Sequence, residues 1–166
     1  MTPTGAGPPG VEGDHRRYRE GVLEIPVVAL DPDLPLPVYA RPDDAGLDLV
    51  ARTDVTVRAG GGRALVPTGI ALALPPGFAG FLQPRSGLAL RHGVTLVNSP
   101  GLIDAGYRDE LAVLLLNTDP DEDFVARRGE RIAQLVVQRV EHVSWRPVGE
   151  LPLSVRGAGG FGHTGR

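Results

Sequence analysis

Several short stretches of this chain carry the residue types that handle phosphate and water. Pro84, Arg85, Ser86 and Gly87 follow an apolar run and open a short helical stretch. That order brings backbone N–H groups, a hydroxyl and a guanidinium together as a small phosphate cradle. In the stretch NSPGLIDAGYR, Asn98, Asp104 and Tyr107 put an amide, a carboxylate and an aromatic ring around a turn between two strands. Asp44 and Asp48 flank Gly46, and Asp48, at the start of an apolar run, is of the type that holds a hydrated divalent cation. Gln134 interrupts an apolar strand, where an unpaired buried amide would cost about 1–3 kcal/mol. Arg156 and Phe161, set among five glycines at the C-terminus, suit a phosphate clamp and a base-stacking ring.

Each fragment alone has an ordinary structural explanation. Ser86 could simply cap a helix beside a surface arginine. Asp104, Asp44 and Asp48 could be turn formers without any ligand. Gln134 could hydrogen-bond within the core, and the glycine-rich end could be a disordered terminus.

The elements that must position these groups read as strands. The 23 glycines and 16 prolines mostly punctuate short apolar runs at fairly even intervals. Strands are predicted at residues 22–30, 54–57, 64–74, 78–83, 94–97, 111–117 and 131–140, rich in valine, leucine and isoleucine. One short helix is predicted at residues 87–91 after Ser86, and no stretch sustains a 3.6-residue period. The pattern predicts an all-β fold, an antiparallel sandwich, jelly roll or barrel, rather than a helical bundle or a doubly wound sheet. Residues 119–123 form a small acidic cluster that reads as a solvated turn.

Composition narrows the chemistry. At 166 residues the chain suits one domain with a core of its own. Its net charge of −3 provides no basic field for wrapping nucleic acid, so a polyanion needs local arginines or a metal ion. With no cysteine, disulfides, thiolate zinc sites and cysteine nucleophiles are excluded. Residues 1–20 hold no apolar core of a signal peptide, and no later stretch is apolar enough to span a bilayer, which predicts a cytoplasmic protein without a membrane partner. The expected organisation is a flexible N-terminal extension (1–20), a β-barrel domain (21–150) and a C-terminal arm (151–166).

Taken in order, DAGLDL, PRSGLA, GLIDAGYRDEL, RGERIAQLV and RGAGGFGHTG resemble the five motifs of the trimeric deoxyuridine triphosphatase (dUTPase) family, across residues 44–165. The resemblance implies a jelly-roll-like β-barrel assembled as a homotrimer, with each active site built from three subunits and closed by an exchanged arm. It implies magnesium-dependent hydrolysis of dUTP to dUMP and pyrophosphate, which keeps uracil out of DNA and supplies dUMP for thymidylate synthesis. By the same resemblance Asp104 activates the attacking water, Gln134 orients it, and Asp48 touches magnesium through water. Arg85, Ser86 and Gly87 match the phosphate-binding triplet. Asn98 and the hairpin 101–112, with Leu102, Ile103, Asp104 and Ala112, match the uracil pocket, and Tyr107 lies under the sugar. Arg156, Phe161, Gly162, His163 and Thr164 match the closing arm.

The chain departs from the family pattern at His163, where the arm usually has serine, so arm closure is expected to respond to pH if the imidazole supplies a charged contact. Two other readings compete. One is deamination of a cytosine deoxynucleotide, with Glu110 as the proton carrier. The other is a nucleotide-gated interaction module whose arm orders on binding.

Overall fold

The computed structural model describes residues 18–19 and 22–154. The described residues form thirteen short strands and one helix. In order these are β1 (Tyr18–Arg19), β2 (Val22–Leu23), β3 (Val27–Ala29), β4 (Leu47–Val50), β5 (Val55–Val57), β6 (Arg63–Pro67), β7 (Ile70–Leu72) and β8 (Phe78–Pro84). Then follow α1 (Ser86–His92), β9 (Val94–Leu96), β10 (Gly101–Ile103), β11 (Ala112–Asn117), β12 (Phe124–Ala126) and β13 (Arg131–Arg139).

Two antiparallel sheets share one apolar core. The first has the order β10-β8-β13-β4 and the second β6-β11-β9. Alternation decides which faces meet: along β11 Val113, Leu115 and Asn117 point inward while Leu114 and Leu116 are only partly covered. Leu49, Leu82, Ile132 and Leu135 from the first sheet join Val66, Val113 and Leu115 from the second in a single buried cluster. Burial of such side chains contributes about 1.5–3 kcal/mol each, enough to fix the register of strands this short. The pairs β5–β12 and β3–β7 extend the framework at its margins.

The sequence pattern predicted the longest strands well and the interrupted ones less well. The stretch 22–30 breaks into β2 and β3 around Pro26, which has no N–H to give a ladder. The stretch 64–74 breaks into β6 and β7 at Thr68 and Gly69, where Gly69 takes a left-handed φ of 77°. Strands β1, β4, β10 and β12 were not predicted; each is only two to four residues long, and the last three follow a turn rich in Asp, Gly or Pro.

The segment 101–112 is not a paired hairpin. Its first strand, β10, pairs with β8, and its second, β11, pairs with β6 and β9, so the connection crosses from one sheet to the other. Gly101 allows this close approach to β8, because a Cβ there would lie 3.2 Å from both the Leu82 Cβ and the Asn98 side-chain nitrogen.

Candidate functional site

The first polar cluster stands where β4, β8 and β13 run side by side. Asp48 on β4 is the register partner of Gln134 on β13, which in turn faces Gln83 on β8. Asp48 is 9% exposed, and its burial is compensated by cations. One carboxylate oxygen lies 3.3 Å from Arg85 Nε and the other 3.0 Å from an Arg131 guanidinium nitrogen. Gln134 Nε2 lies 3.4 Å from the first oxygen, a long contact. Arg85 also donates to the backbone carbonyl of Arg131 at 3.1 Å, so its guanidinium is held from two sides. Gly46 lets Gln134 lie flat across the sheet, since a Cβ there would sit 3.1 Å from the Gln134 Cβ.

Arg85 leaves β8 and serves as the N-cap of α1 with extended backbone angles. No side chain caps this helix. Ser86 is therefore not the capping serine that an R-S-G triplet alone would suggest; it is the first helical residue, exposed, with its hydroxyl left for another partner. Gly87 keeps its backbone accessible beneath Arg91, whose guanidinium would lie 3.0 Å from an added Cβ. Gly93 ends the helix in a left-handed conformation and donates back to Ala89.

The second cluster is the turn after β10. Asp104 is exposed, and its carboxylate has no partner among the described residues. The backbone closes the turn through Tyr107 N–H to Asp104 C=O at 3.0 Å, and Arg108 folds back to donate to the carbonyls of Ala105 and Tyr107. The Tyr107 hydroxyl donates to the Glu110 carbonyl at 2.8 Å while its ring stays 37% exposed. Asn98, before β10, and Leu102, within it, are exposed, Ala112 is half-buried, and Ile103 is buried in the core. Of these, Asn98 alone has a polar side chain; Leu102, Ile103 and Ala112 have only backbone groups to hydrogen-bond a base.

Within one chain the two clusters are not adjacent. Ile103, just before Asp104, pairs with Gly80. Arg85 is five residues further along that strand line, so at about 3.3 Å per residue the turn leaves the sheet roughly 17 Å from the Arg85 backbone. Arg156, Phe161, Gly162, His163 and Thr164 lie outside the described residues.

Reasoning from sequence missed Arg131 and Arg52 as parts of these clusters, and named Glu110 only as the proton carrier of the competing deaminase reading. Arg131 sits in the same RGERIAQLV stretch as Gln134, three positions earlier, and that proximity was the only signal. The Glu110–Arg52 contact joins residues 58 apart and left no local trace.

The described residues contain no group of three acidic or imidazole side chains placed to hold a metal. Both Asp48 oxygens already face nitrogen donors. The donor set does not fit a protein cage for magnesium, although it fits the phosphates of a nucleotide that brings its own counter-ion. No helix among the described residues is long and apolar enough to cross a membrane.

Known proteins match most of this chain. The dUTPase family profile matches residues 33–165. The deoxyuridine 5'-triphosphate nucleotidohydrolase of Thermobifida fusca is 61% identical over 145 residues, covering 87% of this chain and 80% of that protein. Its counterpart from Streptomyces coelicolor is 58% identical over 144 residues, covering 86% and 78%. Among solved structures, the Staphylococcus bacteriophage 80alpha dUTPase with dUPNHPP superposes with a TM-score of 0.79 at 26% identity, covering 86% of this chain and 99% of that one. The all-β, jelly-roll-like architecture and the sequence agree, and the chain belongs to the dUTPase family.

Proposed function

We propose that this protein hydrolyses dUTP to dUMP and pyrophosphate, limiting uracil in DNA and supplying dUMP for thymidylate synthesis. The observation that carries the reading is the contrast between an exposed, unpaired Asp104 and a paired, pre-oriented Arg85. Asp104 accepts a proton from water as that water attacks the alpha-phosphorus. The bond from the alpha-phosphorus to the bridging oxygen breaks, and pyrophosphate leaves with that oxygen. Arg85, the Ser86 hydroxyl and the first N–H groups of α1 hold the phosphate chain, and the Gln134 amide orients the water. Backbone groups of the turn after β10 pair with uracil O4 and N3–H, a pattern that cytosine reverses. The Tyr107 ring packs on the sugar and leaves no room for a 2′-hydroxyl. Magnesium bound to the triphosphate would supply charge neutralisation there; the phosphates would hold it chiefly, and Asp48 would contact it only through its water shell. Arg156, Phe161, Gly162, His163 and Thr164 close the site over the nucleotide.

Three copies complete each site in this reading. The separation of about 17 Å between the Asp104 turn and the Arg85 end supports it, because a single chain offers the base and the phosphate cradle in different places. Closed threefold rings use such heterologous contacts. Deamination loses its proton carrier, since both Glu110 oxygens are engaged, by Gly69 N–H at 2.7 Å and by Arg52 at 3.1 Å.

Two experiments test these statements. Pyrophosphate release, measured across the four deoxy- and four ribonucleoside triphosphates with magnesium, should be confined to dUTP; silence toward dUTP would refute the activity. Mixing Asp104→Asn chains with Arg85→Ala chains, after reversible dissociation, should restore activity in mixed assemblies. A mixture no more active than its parts would refute the shared site.

A further inference from the structure

The hydroxyl of Tyr107 rests on the carbonyl of Glu110, so the ring sits where that peptide puts it. Glu110 is gripped at every polar atom. Its N–H donates to Asp109 Oδ1 at 2.8 Å and its carbonyl accepts from Tyr107. Its two carboxylate oxygens accept from Gly69 N–H at 2.7 Å and Arg52 at 3.1 Å. The carboxylate is 23% exposed and Arg52 34%, so both contacts are sheltered and charge-assisted.

The grip continues away from the turn. Gly69 presents its N–H from the bend between β6 and β7, where a Cβ would crowd the Asp31 Cβ at 3.2 Å. Its carbonyl accepts from Leu30 N–H at 2.8 Å. On either side of Gly69, Thr68 N–H donates to the Leu111 carbonyl and Leu111 N–H to the Ile70 carbonyl, so this bend is stitched to the start of β11. Arg52 donates to the Leu30 carbonyl at 3.2 Å and has its Nε 3.6 Å from Asp31. Arg128 pairs with Asp31 through two nitrogens and donates to the Arg52 carbonyl at 2.8 Å.

We infer that Glu110 and Arg52 are a positioning pair for sugar recognition: they fix the peptide on which Tyr107 hangs, and so set how strongly a 2′-hydroxyl is refused. The inference rests on the proposed dUTP hydrolysis and assigns neither residue a contact with substrate. Tyr107 is more than a third exposed, so packing alone does not hold its ring. A looser ring gives a ribose more room without removing the base or the phosphate cradle.

The experiment compares kcat/KM for dUTP and UTP in the full-length protein and its Glu110→Ala, Glu110→Gln, Arg52→Ala and double Glu110→Ala/Arg52→Ala variants, with folding checked by circular dichroism. The dUTP:UTP preference should fall about tenfold in either alanine variant, the scale of one lost charge-assisted contact. It should fall no further in the double variant, because the two residues act as one unit. Glu110→Gln should lie between, since one amide oxygen can keep a single donor while its NH2 cannot accept. Folded Glu110→Ala or Arg52→Ala protein with an unchanged preference would overturn the inference, as would additive losses in the double variant. Should Glu110→Ala fail to fold, Glu110→Gln and Arg52→Ala carry the same comparison. Absence of dUTP hydrolysis by the unmutated protein would strike the proposed function instead, which separates the two failures.

Discussion

Asp48 and Asp104 are both aspartates in motif stretches, yet their surroundings make them different devices. Asp48 is buried within a sheet and shared between two guanidinium groups and an amide. Asp104 stands exposed on a turn, and no described residue hydrogen-bonds or ion-pairs with its carboxylate. A carboxylate committed to cations is an anchor: it aims Arg85. A carboxylate in reach of solvent keeps its lone pairs for a water. Aspartate alone does not announce which role it has; the neighbours do.

The sharpest way to break this contrast is Asp104→Asn. Its kcat for dUTP should fall by about 10²–10⁴, the scale of a lost general base. Binding of a non-hydrolysable analogue, followed by titration calorimetry, and the melting temperature should hardly change. A large loss of thermal stability would show that Asp104 is an anchor too. Asp48→Asn should do the reverse. It leaves two guanidiniums short of a partner and should cost about 1–2 kcal/mol of unfolding free energy, discounted because Arg131 is half exposed. Urea denaturation reads that loss, and a raised KM for dUTP should accompany it.

A finer cut is Tyr107→Phe, which removes only the hydroxyl that rests on Glu110. The dUTP:UTP preference should fall a few-fold, in line with about 0.5–1 kcal/mol for one partly exposed hydrogen bond. An unchanged preference would locate the sugar check in the ring alone. The smallest effect concerns pH. The Arg128 guanidinium hydrogen-bonded to Asp31 holds that carboxyl below its ordinary range. A depressed carboxylate pKa stabilises the fold above the unfolded value, near ~4, and the benefit fades as pH drops through the folded value. The stability gap between the unmutated protein and Asp31→Asn should thus be present at pH 7 and shrink toward pH 3 in denaturant titrations. A gap that stayed constant with pH would remove the ion pair as its cause.

What could be read from the sequence followed from how local its cause was. The runs that became β8, β11 and β13 are long enough for alternation or continuous apolarity to announce a strand. Helix α1 was legible because Gly93 stops it and Pro84 precedes it. β4 was not, because DAGLDL looks like a turn until Gln134 and Val38 supply its partners. The crossing of 101–112 between sheets was hidden because a two-strand hairpin and a crossing connection share the same turn residues. The site shows the same division. Arg85, Ser86, Asp48 and Gln134 were visible as types in order, and their grouping required the register between β4, β8 and β13. Ser86 changed meaning once Arg85 proved to be the cap. Arg52 could not be seen beside Glu110 from sequence at all, because only the folded sheet brings residues 52 and 110 together.

Beyond β13 the chain runs on through the single tryptophan, Trp145, which is 89% exposed. Its indole is a built-in lamp whose colour reports its surroundings. In isolated chains it should emit like a water-bathed indole, and in any assembly that covers it the emission should move to the blue. A blue shift lost on dilution would report an assembly that covers Trp145, without any label.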